Sequence, residues 1–155
     1  MENSINYAGF WIRFAACFID GLIVNTIILI FWAVSLFAVL FLWGAAPGAS
    51  FFQAHAESSG FSASLIFTGF DILIGWLYLV LQWSSAKQAT FGMRCMGVKI
   101  VGYDYGPISF GHATKRWFAL FLSALTLGIG YIMIAFTRRK QGLHDMIART
   151  YVIRS

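Results

Sequence analysis

Charged residues are scarce in this sequence. Asp, Glu, Lys and Arg make up 11% of the 155 residues, whereas a soluble domain carries about 25%. That shortage excludes an ordinary water-soluble domain, and the wealth of apolar residues excludes a disordered chain. Cysteine is nearly absent: Cys17 lies in an apolar run and Cys95 in a basic segment, too few for a disulfide framework. The N-terminus lacks the basic leader of a signal peptide, and the first apolar run is far too long for one, so the first helix is expected to be retained. No Ser/His/Asp arrangement, phosphate-binding loop or dinucleotide fingerprint occurs, and the chain is not expected to be an enzyme. There is no low-complexity segment or internal repeat.

Apolar residues dominate instead. They amount to 59% of the chain, 16 of them Phe, with a mean hydropathy of +0.75. The expectation is a single integral membrane domain over residues 1–155, all-α, with a small two-strand element. Phe14 to Leu42 is apolar except for Asp20, Asn25, Thr26 and Ser35. At about 1.5 Å per residue it is roughly 43 Å long, enough to cross a hydrocarbon core of about 30 Å with tilt. Phe61 to Trp83 is a second full span, with Asp71 inside it. Trp11, Trp43, Phe61 and Trp83 stand near the span ends, as interfacial belts or as plain packing.

Trp117 to Phe136 is a third apolar run, but the charges oppose a simple third crossing. Lys87, Arg94, Lys99, Lys115 and Arg116 precede it, and Arg138, Arg139, Lys140, Arg149 and Arg154 follow it. The positive-inside rule sends both groups to the cytoplasm. Two β-branched clusters, Val98–Val101 and Thr150–Ile153, could pair only if they share a side. Gly128 and Gly130 in the middle of the run can turn the backbone. The reading is therefore two full transmembrane helices and a re-entrant helical hairpin, with one ordinary third span as the alternative. The N-terminus, the C-terminal tail and the two-strand element would be cytoplasmic, and the loop from Gly44 to Gly60, with His55 and Glu57, external.

Ionisable groups within a span cost about 2.5–3.5 kcal/mol and need protein or water around them. Arg13 and Asp20 are seven residues apart, which brings them to one face of the first helix about 10 Å apart along its axis. They could meet directly, through water, or take separate partners. On the second helix Ser64, Thr68, Asp71, Gly75, Tyr78 and Gln82 follow steps of four and three, forming one polar stripe. Such a stripe either glues helices together or lines an ion or proton path. Asp20 and Asp71 are the candidate carboxyls for a path, and the plain alternative for Asp20 is a structural pair with Arg13.

Between the spans and the tail, Lys87–Gly97 reads as a short amphipathic element leading into the first strand. Gly102–Pro107 is a turn, and Ser109 caps a short helix ending at Lys115 and Arg116. His144 beside Asp145 is too little for a metal site; the bland roles for Asp145 are a helix cap or an arginine partner. The basic residues would also attract anionic lipid headgroups.

These landmarks together resemble the RDD family of small membrane proteins, over roughly Tyr7 to Arg154. The match runs from Ala8-Gly9-Phe10-Trp11-Ile12-Arg13 with Asp20 seven on, through Thr90-Phe91-Gly92-x-Arg94-x-x-Gly97-Val98-Lys99-Ile100, to Arg138-Arg139-x-Gln141-Gly142-Leu143-His144-Asp145. The family takes its name from one arginine and two aspartates; Arg13, Asp20 and Asp145 match them. Met93 and Gln82 depart from the pattern, standing where members commonly carry a basic and an acidic residue. Thr90, Gly92, Arg94, Gly97, Gly142 and His144 are motif positions, whereas Asp71 is not. The resemblance implies a bacterial inner membrane and a suspected transport role, some members being linked to sodium/proton exchange.

The functional expectation is thus a transport-related protein coupling Na⁺ and H⁺ movement, with Arg13, Asp20, Asp71, Tyr78 and Gln82 as its polar residues. So few spans would need to oligomerise. The alternative is a non-catalytic accessory or scaffold subunit of a larger membrane complex. Neither reading calls for a cofactor, a metal or nucleic acid.

Overall fold

A computed structural model describes residues 5–43 and 49–155, with the backbone alone for 39, 43 and 49–64. The chain is mostly helical. In order it forms α1 (Phe10–Trp43), α2 (Ala49–Trp83), α3 (Phe91–Cys95), β1 (Val98–Gly102), α4 (Phe110–Leu125), α5 (Ile129–Phe136), α6 (Leu143–Ile147) and β2 (Thr150–Arg154). It divides into two compact units, one built from the chain up to Leu22 and from Trp76 onwards, the other from Ile23 to Gly75.

Two stretches are long and apolar enough to cross a membrane, Phe10–Leu42 and Leu65–Trp83. A helix satisfies its own backbone, which hydrocarbon requires of any spanning segment. The helices are longer than the sequence reading allowed. α2 begins at Ala49, so much of the expected loop from Gly44 to Gly60 is helical; Ala49, Gln53, Ala54, Ala56 and Glu57 are all good helix formers. Residues 44–48 and the side chains of His55, Glu57 and Ser64 lie outside the described residues. Likewise α4 does not stop at Lys115 and Arg116 but runs on to Leu125, because Ala119, Leu120 and Leu122 offer no break.

In the unit from Ile23 to Gly75, Trp32 packs edge-on against Phe67, ring centroids 4.6 Å apart, and Phe31 meets Phe70 at 6.2 Å. The Trp32 indole N–H donates to Asp71 Oδ1 at 2.9 Å. Asp71, the acid at the centre of the polar stripe, is thereby bound to an aromatic donor of α1.

The other unit holds the sheet, the short helices and the functional landmarks. Thr90 caps α3 by accepting from the Met93 amide at 3.2 Å, and Ser109 caps α4 by accepting from the His112 amide at 3.3 Å. Between α4 and α5, Leu127 at φ +52° and Gly128 at φ +80° turn the chain, and the two helices are bent by 100°. The Thr126 hydroxyl donates to the Ser123 carbonyl at 2.8 Å and accepts from the Gly130 amide at 3.2 Å. Tyr131 donates its hydroxyl to the Leu120 carbonyl at 2.8 Å, tying the two helices together. Gly130 permits this approach: a Cβ there would lie 2.9 Å from Ser123 Cα and Cβ. Leu127 at the tip is 92% exposed.

β1 and β2 pair antiparallel, Val98 opposite Arg154 and Gly102 opposite Thr150. The segment before α1 pairs with the other edge of β2: Arg154 N–H donates to Asn6 C=O at 3.0 Å and Ala8 N–H to Val152 C=O at 2.9 Å. Ala8, Val80, Trp83, Val98, Ile100, Ile108, Ala113 and Val152 form one buried core beneath the sheet.

Candidate functional site

The family-like residues gather at two carboxylates. Asp145 is fully buried on α6. Its Oδ2 accepts from Arg13 Nη1 at 2.5 Å and from the Gly142 amide at 2.9 Å. Its Oδ1 accepts from Arg116 Nη1. It therefore caps α6 and pairs with two arginines at once. Each arginine reaches further. Arg13 donates through Nη2 to the Lys140 carbonyl at 2.5 Å and through Nε to the Ala8 carbonyl at 3.0 Å. Arg116 Nη1 also donates to Thr150 Oγ1 at 2.5 Å, and its guanidinium lies 5.4 Å from the centre of the Trp83 ring. The planar guanidinium fork suits such multiple donation, which a lysine could not copy. One carboxylate thus joins α1, α4, α6, β2 and the loop at Lys140.

Burial alone would push the Asp145 carboxyl up, but the Arg116 and Arg13 guanidiniums overcome it and hold the acid well below the usual carboxylate range. Beside it, His144 is pushed down to about 4, first by burial and then by the same two arginines, against the pull of Asp145. The imidazole is neutral at pH 7, so its 3.5 Å approach to Asp145 Oδ1 is not an ion pair there. Its Nδ1 lies 3.3 Å from Ser123 Oγ.

The second carboxylate is Asp20. Its Oδ1 accepts from Tyr78 Oη at 2.9 Å and from the Gly92 amide at 2.8 Å, and its Oδ2 accepts from Thr90 Oγ1 at 2.5 Å. This geometry explains the motif around α3. Thr90 caps that helix and binds Asp20 with the same hydroxyl. Gly92 lets α3 touch α1, since a Cβ there would come within 2.2 Å of the Ala16 carbonyl oxygen. Arg94 returns through Nε to the Thr90 carbonyl at 3.3 Å and through Nη2 to Gln82 Oε1 at 3.1 Å. Gly97, at φ +62°, adopts the left-handed turn that enters β1. Gln82 is a neutral acceptor for Arg94.

Arg13 and Asp20 share a helix face but do not form a pair; each takes separate partners. Helical side chains lean toward the N-terminus, and Arg13 reaches back to Ala8 and across to Asp145 while Asp20 meets α2 and α3. Of the stripe, Tyr78 serves Asp20, Gln82 serves Arg94, and Asp71 bonds to Trp32. Sequence reasoning did not single out Arg116 or Thr150 as site residues, and named Gln141 only as part of the last motif. A clue existed for Arg116, because an arginine at the head of an apolar run needs a counter-charge. Gln141 donates to the Thr150 carbonyl at 3.1 Å. Among the described residues no three His, Cys, Asp or Glu side chains gather as a metal would require.

The model of the RDD family matches residues 7–149, a stretch that includes Arg13, Asp20 and Asp145. The chain is 37% identical over 154 residues to the uncharacterized protein YxaI of Bacillus subtilis (strain 168), covering 94% of this chain and 96% of that protein. It is 31% identical to the uncharacterized protein YckC of the same strain, covering 97% and 86%. With the uncharacterized membrane protein YteJ, also of that strain, the identity is 26%, covering 95% and 80%. No solved structure matches the chain. With the arginine, both aspartates and the glycine-bearing motifs inside the matched stretch, this small membrane protein belongs to the RDD family.

Proposed function

We propose that the protein is a non-catalytic membrane scaffold or accessory subunit, in which the family arginine and aspartates clamp the sheet and short helices to the base of the first span. The observation that carries this reading is the Asp145 node. A carboxylate held between two guanidiniums, with its titration far below neutrality, does not exchange a proton near pH 7. Asp20 likewise engages both oxygens, with three donors. Much of the apolar surface of α1 is exposed, no residue of its most hydropathic stretch being fully buried among the described residues, and so is available to lipid or to helices of another chain.

The same node supports a topology. Arg116, in the second turn of α4 and just before its apolar run, and Asp145, beyond α5, bond to each other. A straight span of about 20 residues would set its ends roughly 30 Å apart. The α4–α5 pair is therefore read as re-entrant, with the N-terminus, sheet and tail together in the cytoplasm of a bacterial inner membrane, the setting that the Bacillus relatives suggest.

Cation/proton exchange is the second reading, favoured by Asp71, whose Oδ2 receives no hydrogen bond among the described residues. Sealed liposomes decide between the two. With a Na⁺ or K⁺ gradient imposed and internal pH followed, the wild-type protein should move no more protons than empty liposomes, and native-detergent purification should yield a second, different chain in fixed ratio. Cation-driven proton movement that is lost in Asp20→Asn or Asp71→Asn would overturn the scaffold reading, and a pure homo-oligomer would remove its accessory-subunit form.

A further inference from the structure

We propose that a groove at the base of α1 binds the headgroup of an anionic membrane phospholipid, with Lys140 and Arg154 holding its phosphate. The groove has a volume of about 560 Å³ and is lined from the start of α1, from α5 and from the tail. Its walls divide by chemistry. Phe10, Trp11 and Ile12 face Ile132, Ala135 and Phe136 as apolar sides, and Lys140 and Arg154 supply two cations. No Asp or Glu lines it, and among the described residues neither cation forms a salt bridge.

The position matches the occupant. α1 begins its apolar run here, so the groove opens at the level of the membrane–water interface. Trp11 and Phe136 are 77% and 84% exposed, surfaces suited to the acyl boundary, while the cations lie in the headgroup layer. A zwitterionic lipid would bring its own ammonium toward Lys140 and Arg154; an anionic one brings only negative charge. That complementarity selects an anionic phospholipid.

Lys140 is held in place by the family clamp. Its backbone stands at φ +49°. Its N–H donates to the Thr137 carbonyl at 3.0 Å and its carbonyl accepts from Arg13 Nη2 at 2.5 Å. The side chain lies along the start of α1, its Nζ 3.6 Å from where a Cβ on Gly9 would stand. Arg154 is fixed through its N–H to Asn6 C=O at 3.0 Å. The Arg13–Asp145 node thus sets the geometry of a lipid site through the Lys140 backbone without itself lining the groove.

The test uses the full chain in mixed micelles of phosphatidylglycerol and phosphatidylcholine, with the retained lipid measured by native mass spectrometry. Wild type should retain phosphatidylglycerol preferentially. Lys140→Gln/Arg154→Gln should lower that preference by roughly tenfold or more. Lys87→Gln/Lys115→Gln, with the same charge change at exposed positions outside the groove, should keep it. Ala135→Trp, which fills the apolar wall without altering charge, should reduce retention of phosphatidylglycerol, and thermal unfolding checks that each variant is folded. Equal loss in the two double variants, or no headgroup preference in wild type, would overturn the proposal. So would full retention by a folded Ala135→Trp.

Discussion

Removing the charge of Asp145 tests the clamp most directly. The carboxylate is fully buried between Arg13 and Arg116, whose side chains are 10% and 6% exposed. Asp145→Asn keeps the shape and one carbonyl oxygen for the Gly142 amide. It leaves two buried guanidiniums without a counter-charge and turns an N–H₂ toward one of them. Breaking a buried pair from one side costs about 3–5 kcal/mol, a large share of the roughly 5–15 kcal/mol that holds a domain folded. At about 2–4 °C per kcal/mol for a chain of this size, the melting midpoint should fall by roughly 6–20 °C. Tryptophan fluorescence in detergent reads this, because Trp83 lies against the Arg116 guanidinium. Arg13→Met/Arg116→Met/Asp145→Leu removes all three charges together and should lose less than the single change, since a buried ionic cluster can be replaced by apolar packing at small cost. A midpoint for Asp145→Asn within about 2 °C of wild type, below the 2–4 °C expected of a single kcal/mol, would refute the reasoning. The acid dependence carries a defined sign. Burial disfavours the ionised carboxyl, but Arg116 and Arg13 depress its folded titration well below the ordinary value. Its contribution is present above about pH 4, the unfolded value, and is lost only as pH falls through the depressed folded one.

His144 behaves differently, with a folded value of about 4 against 6.5 when free. Its contribution is complete above pH 6.5 and is lost as pH falls toward 4, at up to about 1.4 kcal/mol per pH unit. His144→Gln should flatten that part of a stability–pH profile. Gly92→Ala should lower the unfolding midpoint by the equivalent of about 1–3 kcal/mol, because the added methyl meets the Ala16 carbonyl oxygen at 2.2 Å and both groups belong to backbone; an unchanged midpoint would show that α3 is free to shift. Thr90→Val removes the α3 cap and one Asp20 donor together, an expected loss of about 1–3 kcal/mol by thermal unfolding that Thr90→Ser should largely restore. For topology, Cys95, which is exposed, and a cysteine placed at Ser155 should label from the same, cytoplasmic side in a Cys17→Ser background; opposite sides would restore an ordinary third span.

Much of the architecture was legible from local pattern alone. Apolar length marked the spans, β-branched clusters marked both strands, and Gly128 marked the turn, because backbone geometry and side-chain period act over a few neighbouring residues. The extra turns of α2 before Phe61 were hidden by polar residues that are nonetheless good helix formers. The candidate site was legible in its members but not in its connections. Spacing put Arg13 and Asp20 on one face and invited a pair, yet Arg13 bonds to a carboxylate 132 residues away, and Asp20 takes donors 58, 70 and 72 residues away. Arg116 entered the same node without any motif to announce it. The sequence by itself determined that this chain lives in a membrane and which charged groups must be matched there, because burying a lone charge is costly wherever it lies. Which group matches which was decided by the packing of α1, α4, α6 and β2, since a counter-charge works only where the tertiary fold brings it within hydrogen-bonding distance.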